Sequence, residues 1–340
     1  MRVPVTRIYG KGKKTDLVPG WGAGLISATL TDNDGGEADE LVLVFAVQPP
    51  FPSAPAISTP FFPSFGWSED GADMEVRDGG MFEVQNVAYG GDAESGYTMT
   101  VTSRSADFAD KMKEMDSEHF EETTAGDVFQ KIASKAGYSA TVDPEIASAK
   151  IPYRLRWSQS PAGFANDLAS DFGGTMKMAN GQMLVAKRNS GKTASGTMMP
   201  PIVVSFSEVI EFDVSIEVRP EYSETSASWF DPLEGISKLV SGSSVGSGGR
   251  LAPLHPYNSE DEAKAGGESE GGEQARSAVS GSITIPGRPG AMAGAPVILI
   301  GFGGDLDGAM IVAPTITHER TFDDSGGYLT TLDLESMKTE

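Results

Sequence analysis

Residues 122–188 read ETTAGDVFQKIASKAGYSATVDPEIASAKIPYRLRWSQSPAGFANDLASDFGGTMKMANGQMLVAKR, and their caps, periods and turns spell helix, strand, helix and hairpin. Thr124 with Asp127 forms a short capping box, and Val128, Phe129, Ile132, Ala133 and Ala136 share one helical face. Gly137 supplies the left-handed stop. Asp143-Pro144 turns the chain, after which Ile151, Tyr153, Leu155 and Trp157 alternate as in a half-buried strand, a pattern that places Trp157 in the core. Ser160 and Pro161 open a second helix, in which Phe164, Leu168 and Phe172 recur every four positions until Gly173-Gly174 ends it. Met176 and Met178 lead through Asn180-Gly181, a strong hairpin signal, into Met183 and Val185. All local signals agree, and none of these residues is left over for chemistry, so the segment reads as scaffold.

On either side the pattern turns to strands. Residues 25–104 read as a meander with a turn at Asp32-Asn33-Asp34-Gly35, and residues 105–115 read as a short connecting helix. Gln48 to Trp67 holds six prolines, a density that excludes a central strand and predicts a long loop carrying Phe51, Phe61, Phe62 and Phe65. These phenylalanines with Trp67 either cover the end of a β unit or dock a neighbouring subunit; they are the interface candidates. Strands return from residue 200, with Ile202, Val204 and Phe206 and then Val214, Ile216 and Val218 in alternation. Residues 231–255 are rich in Gly and Ser and predict a mobile excursion, and Ser259 begins a helix that Gly266, Gly267, Gly271 and Gly272 weaken by about 1 kcal/mol each relative to Ala. The expected domains are 1–104, a β unit; 105–190, an α+β module; and 191–340, a second β unit with an insertion around 231–280.

At 340 residues the chain is long enough for two or three domains with real cores. Its 41 Gly and 21 Pro favour strands and turns over long helices. A formal charge of -22 argues against binding nucleic acid by neutralising phosphates, which needs a basic surface. Such a surface serves solubility, and it would also keep DNA from sticking to a passage it slides through. With no cysteine, disulfides and thiolate metal sites are excluded. The basic N-terminus lacks the apolar core of a signal peptide, and LVLVFAV and APVILI are too short to span a bilayer, so folding in a cytoplasm without a membrane anchor is expected.

Catalytic patterns match by letters and fail on context. Gly191-Lys192-Thr193 has no first glycine where Ala186 stands and no following helix to cradle a phosphate. Gly242-Ser243-Ser244-Val245-Gly246 and Gly267-Glu268-Ser269-Glu270-Gly271 sit in polar loops instead of strand-to-helix elbows. Gly20, Gly22 and Gly24 lack a βαβ unit. His119, His255 and His318 lack zinc spacing, and Asp305 and Asp307 before Gly308 read as a turn, since the third acidic ligand and distal Glu of a calcium loop are missing. Carboxylate pairs for glycoside hydrolysis are unavoidable among 48 acidic residues, yet no stretch is long enough to house a lysozyme-like domain. No catalytic, cofactor-binding or metal residues are predicted, no cofactor is implied, and the chain is not expected to be an enzyme. A rival reading is a secreted or virion polysaccharide-binding or hydrolysing β protein, with Trp67, Trp157 and Trp229 stacking on sugars.

The 122–188 segment resembles the middle of the phage late control gene D proteins, the central baseplate hub of contractile tails. Residues 286–335, PGRPGAMAGAPVILIGFGGDLDGAMIVAPTITHERTFDDSGGYLTTLDLE, look like that family's closing strands, with a glycine turn, His318 in a strand and a final Gly-Gly-Tyr hairpin. Residues 26–45 are similar more weakly. The family is related to the hub part of type VI secretion spike proteins. The resemblance implies a mainly β protein of two tube-like β-barrel domains plus the small helix-strand-helix-hairpin module. It implies a homotrimer presenting a pseudo-sixfold ring to the tail tube protein and a threefold platform to the central spike protein. Tape measure and other baseplate proteins would be neighbours, and DNA would pass through without specific binding. The implied location is the virion tail baseplate of a phage or phage-derived injection particle, assembled in the host bacterial cytoplasm.

Overall fold

The computed structural model describes residues 2–12, 14–105, 110–179, 181–216, 224–231, 233–241, 250–251, 256–257, 259–267, 279–322 and 327–337. Of these 55% are strand and 17% helix, the mainly β balance that the Gly and Pro content predicts.

The N-terminal unit consists of β1 (Arg2–Tyr9), β2 (Leu25–Asn33), β3 (Glu40–Val47), β4 (Pro60–Glu69), β5 (Ala72–Asp78), β6 (Phe82–Asp92) and β7 (Gly96–Ser105). A four-residue helix, α1 (Val18–Trp21), lies between β1 and β2. Hydrogen bonding follows the path β1-β4-β6-β7-β3-β2, with β5 attached to β4. The inward positions of β3, Leu41, Leu43, Phe45 and Val47, alternate as the sequence pattern requires and pack with Ile8, Phe82 and Val101.

The proline-rich stretch is not loop throughout, because β4 begins at Pro60 and pairs with β1, β5 and β6. Prolines are tolerated here because β4 changes partner: Pro60 and Phe61 pair with β6, Ser64 to Glu69 pair with β5, and Phe62 and Pro63 fall in the gap. No rung on that side needs the missing N–H of Pro63. In consequence Phe61 (4% exposed) and Phe65 (2%) belong to the core, which corrects their place among the docking candidates. Phe62 and Trp67 are half-buried, and Phe51 stays 46% exposed against Tyr89 and Tyr97.

The central module contains β8 (Asp116–Thr124), α2 (Ala125–Ala136), β9 (Ser139–Val142), α3 (Pro144–Ser148), β10 (Lys150–Gln159), α4 (Pro161–Asp171), β11 (Gly174–Ala179) and β12 (Gln182–Lys187). Thr124 accepts from the Asp127 amide, Gly137 closes α2 at φ 91°, and Ser160 accepts from the Gly163 amide at the start of α4. The predicted hairpin is β11–β12, joined in parallel by β9; Asn180 of its turn lies outside the described residues. Phe120, Val128, Phe129, Ile151, Phe164, Leu168, Met176 and Met183 form its core. One strand here had no signal in the sequence, and one expectation changes. Asp116–Thr124 is a strand with a single inward apolar residue, Phe120, paired to β10. Trp157 is 73% exposed and Tyr153 41%, because the alternate set, Arg154 opposite the buried Phe120 and Arg156 opposite Glu118, is the one that turns inward, with Arg156 buried. Of the expected connecting helix, 106–109 lie outside the described residues and Asp110–Met112 form one 3₁₀ turn.

The C-terminal unit comprises β13 (Ile202–Ser205), β14 (Glu211–Ile216), β15 (Glu224–Asp231), β16 (Ile236–Ser241), β17 (Arg250–Leu251), β18 (Val279–Pro286), β19 (Ala295–Ile300), β20 (Ile311–Thr321) and β21 (Tyr328–Ser336). In and around the Gly/Ser stretch β15, β16 and β17 form a small sheet, and a helix at 260–267 opens with Ser259 accepting from the Glu262 amide; 242–249 and 252–255 lie outside the described residues. The remaining strands follow the path β13-β19-β20-β21-β18-β14 around Val204, Ile283, Val297, Ile316 and Leu332.

Numbered by order of appearance, leaving out β5 and the excursion, both units thread their six strands in the same sequence, first-fourth-fifth-sixth-third-second. One pairing differs: β1 meets β4 antiparallel, whereas β13 meets β19 parallel. Neither path closes on itself among the described residues; instead β2 pairs with β20 and fuses the two into one 13-stranded sheet.

The position of each phenylalanine sets the expected effect of its loss. Phe65→Ser should lower unfolding stability by about 3–5 kcal/mol, the cost of emptying a buried aromatic site, while Phe51→Ser should stay within about 0.5 kcal/mol in denaturant titrations.

Candidate functional site

All three parts of the chain meet at Asp32, near the end of β2. Its carboxylate accepts from Lys177 Nζ at 2.6 Å, from the Ala293 amide at 3.2 Å and from Arg77 at 3.4 Å. Lys177 comes from β11 of the module, Arg77 from β5, and Ala293 from the turn before β19. The same ammonium reaches Asp39 at 2.9 Å and donates to the Asn33 carbonyl at 2.7 Å. Burial works against every charge here, yet Lys177 and Arg77 hold the Asp32 carboxyl below its ordinary pKa, and the two carboxylates hold Lys177 above its own. Asp39, which shares Lys177 with Asp32, is raised, chiefly by burial.

Around this point the contacts are close. The Asp32-Asn33-Asp34-Gly35 turn presses on β11, with Gly36 N donating to Met176 O at 3.0 Å. Gly35 sits at φ 146°, and a Cβ there would lie 2.3 Å from Thr175 Oγ1, so only glycine lets the hairpin approach. Asp34 beside it is pushed up to about 6, chiefly by burial, with Arg188 opposing. On the other side Trp67 Nε1 donates to Gly287 O at 2.7 Å, binding the two β units. His318 Nδ1 lies 2.9 Å from Tyr328 Oη and 3.2 Å from Thr330 Oγ1, stacked on Phe65. Burial pushes His318 down to about 4, so it is neutral at pH 7, and raises the Tyr328 phenol. The histidine therefore belongs to the core of the joint.

A cleft of about 590 Å³ opens beside the joint, lined among others by Phe62, Arg77, Asp78, Lys177, His318 and Tyr328. Of its lining charges, Arg77 and Lys177 are engaged in cross-unit pairs with Asp32, and His318 is held against the Tyr328 hydroxyl. Other motifs have local roles. Asp307 accepts from the amides of Gly301, Phe302 and Gly303, the tight turn expected of Asp305-Leu306-Asp307-Gly308. Thr193 N donates to Thr197 O in a loop without a helix. His119 pairs with the Tyr153 hydroxyl at 2.9 Å. His255, residues 242–246 and residues 268–271 lie outside the described residues. Among the described residues no group of three His, Cys, Asp or Glu is placed to hold a metal, and no helix is long and apolar enough to cross a membrane.

Exposed apolar side chains gather on the C-terminal unit, where the sequence had offered only Trp229, which is half-buried. Phe206, Phe212 and Phe302 meet edge to face with centroids 5.2–6.0 Å apart, beside exposed Ile210 and Ile300. The β15–β16 hairpin exposes Phe230, Leu233 (96%) and Leu239. Alternation had placed Phe206 in the strand of Ile202 and Val204, but β13 ends at Ser205 and Phe206 opens a 3₁₀ turn; Phe212 carried no signal in the sequence.

The fold is that of phage tail proteins. It matches the 43 kDa tail protein of prophage MuSo2 from Shewanella oneidensis at TM-score 0.65, with 16% identity over 97% of this chain and 98% of that one. The tail protein of Neisseria meningitidis MC58 matches at 0.64, with 12% identity over 98% and 97%. The E. coli type VI secretion component c3393 matches at 0.56, with 9% identity over 98% of this chain and 77% of the other. In sequence the chain is similar to the probable baseplate hub protein of Escherichia phage P2, 31% identical over 208 residues, which is 60% of this chain and 51% of that protein. The corresponding protein of Escherichia phage 186 is 26% identical over 228 residues, 66% and 57% of the two chains. The chain thus spans about half the length of the curated relatives it matches, and no family model matches it.

Two consequences of the joint are measurable. Lys177→Ala leaves Asp32 and Asp39 without their shared cation and should cost about 3–5 kcal/mol, much of it recovered when Asp32→Asn is added. Asp34 has a folded pKa above its unfolded one, so its ionisation opposes folding as pH rises from about 4 through about 6. Asp34→Asn should therefore raise stability by roughly 3 kcal/mol at pH 8 and by almost nothing below pH 4, read from urea midpoints across that range.

Proposed function

We propose that this chain is a structural baseplate hub that joins the tail tube to the central spike in a contractile phage tail or a phage-derived injection particle. The observation that carries this reading is the repeated strand path: one chain holds two units of the same threading, in a sequence similar to probable baseplate hub proteins. Three such chains supply six comparable units, which suits a ring facing a sixfold tube above and a threefold spike below. The residues 1–104 and 191–340 serve as the two tube-like barrels, their open edges closed by neighbours, and 105–190 decorate the ring toward other baseplate proteins. Placed this way, the chain works as a homotrimer in the virion tail baseplate, assembled in the host cytoplasm, with the tape measure protein among its neighbours.

The function is geometric and no reaction is assigned. Pairs between Asp32, Lys177, Asp39 and Arg77 brace the three parts against one another. A lumen carrying much of the -22 charge would let DNA pass without adhering. Of the original docking candidates, Phe51, Phe62 and Trp67 remain for contacts, joined by the Phe206–Phe212–Phe302 cluster.

Mass photometry of the purified chain, alone and mixed with the tube and spike proteins of the same particle, tests the proposal. A species of three chains that takes up both partners is expected; a chain that stays single in every mixture overturns it.

A further inference from the structure

The joint between the two units inside the chain has a counterpart with one half missing. Strand β20 changes partner along its length: Ile311 to Ala313 pair with β19, a bulge falls between Val312 and Thr315, and Thr315 to Thr321 pair with β2. Strand β6 occupies the same place in the N-terminal path. Phe82 and Glu83 pair with β4, a bulge falls between Val84 and Asn86, and Asn86 to Asp92 pair only with β7. Like its equivalent in β20, this stretch is seven residues long, but the side that β2 covers in β20 carries no strand among the described residues.

The strand that would cover it is also present with a free edge. Strand β14 ends the C-terminal path as β2 ends the N-terminal one, and among the described residues it pairs only with β18. Alternate residues of β2 are buried, whereas β14 leaves Phe212 and Ile216 exposed. Within one chain the two edges are opposite ends of the run β6-β7-β3-β2-β20-β21-β18-β14 and do not pair, so the occupant is a second copy. Resting on the hub reading above, we infer that β14 of one copy adds to the free edge of β6 in the next, repeating between chains the β2–β20 pairing found within one.

The register follows from matching the two paths rung by rung. Asn86, Thr102, Val42 and Thr29 lie across the N-terminal sheet as Thr315, Asp333, Ser282 and Asp213 lie across the C-terminal one. Core-facing Leu43 and Val101 then match Ile283 and Leu332, so the faces agree. Carrying the β2–β20 register across sets Phe212 opposite Gly91, Val214 opposite Tyr89 and Ile216 opposite Val87, antiparallel. Gly91 leaves room for the Phe212 ring, and the Asp92 carboxylate, next in line to Glu211, is turned into its own loop, accepting from the Glu94 and Ser95 amides at 2.8 Å. The pairing would bring the Phe206–Phe212–Phe302 cluster up to the Phe51–Tyr89–Tyr97 cluster of the neighbour. Because the two edges differ, the contact is head to tail, and repetition closes a ring.

The absence of cysteine makes the register directly testable. Chains carrying Val214→Cys with Tyr89→Cys are oxidised, alone and with the tube and spike proteins, and run on denaturing gels. A covalent ladder rising to the ring size is expected, and none from Val214→Cys with Ala88→Cys, which faces the other way. Phe212→Asp, at an exposed site, should leave the melting temperature unchanged and lower association at least tenfold. A trimer seen by native mass spectrometry without the Val214–Tyr89 cross-link overturns this strand pairing and leaves the hub reading standing. Absence of both trimer and cross-link in every mixture overturns both.

Discussion

The architecture depends on one buried charge, the carboxylate of Asp32, and on the requirement that it be compensated. Isolating an anion from water costs several kcal/mol unless cations and donors replace the lost hydration. Here the replacements come from three separate places: Lys177 on the module hairpin, Arg77 on β5 and the Ala293 amide from the C-terminal unit. None can be withdrawn without exposing the others, so a local electrostatic need is met only when all parts of the chain are docked. Apolar packing makes each part stable; this polar contact fixes how the parts are set together.

Legibility in the sequence followed the range of the interactions involved. The helices, caps and hairpin of 122–188 were readable because capping and amphipathic periodicity act within four residues, and Thr124, Gly137 and Ser160 do what their neighbours imply. Strand β8 was missed because DSEHFEETT has one inward apolar residue and is held by its pairing with β10, about 35 residues on. Trp157 was misplaced because alternation says which residues share a face and not which face is covered: Arg154 and Arg156, opposite Phe120 and Glu118, turn inward instead. Phe61 and Phe65 were read as loop since proline normally bars a strand interior, and nothing local reveals that β4 changes partner at Pro63.

The joint was the least legible feature. Asp32 had been noticed only as a turn residue, and Lys177 carried no signal in the KMANGQM hairpin; they are 145 positions apart and meet through the fold alone. The repeated strand path was hidden for a related reason. Two units can thread their strands alike while sharing little beyond alternation, because path is a property of pairing and many residues satisfy each rung. The likeness to baseplate hub proteins was carried by longer stretches of sequence, which is why it stood out where the repeat did not.

The β2–β20 ladder also has a mechanical meaning. Its seven rungs, Ser27–Thr321 to Asn33–Thr315, join the last strand of the N-terminal path to a strand of the C-terminal one. A pull along the strand direction loads all the rungs at once, so the ladder resists as a group and fails by shear at high force. A pull across it would open the rungs singly, like a zipper, at low force. A particle that keeps thrust along its strands can therefore pass a large impulse through this seam with no covalent staple.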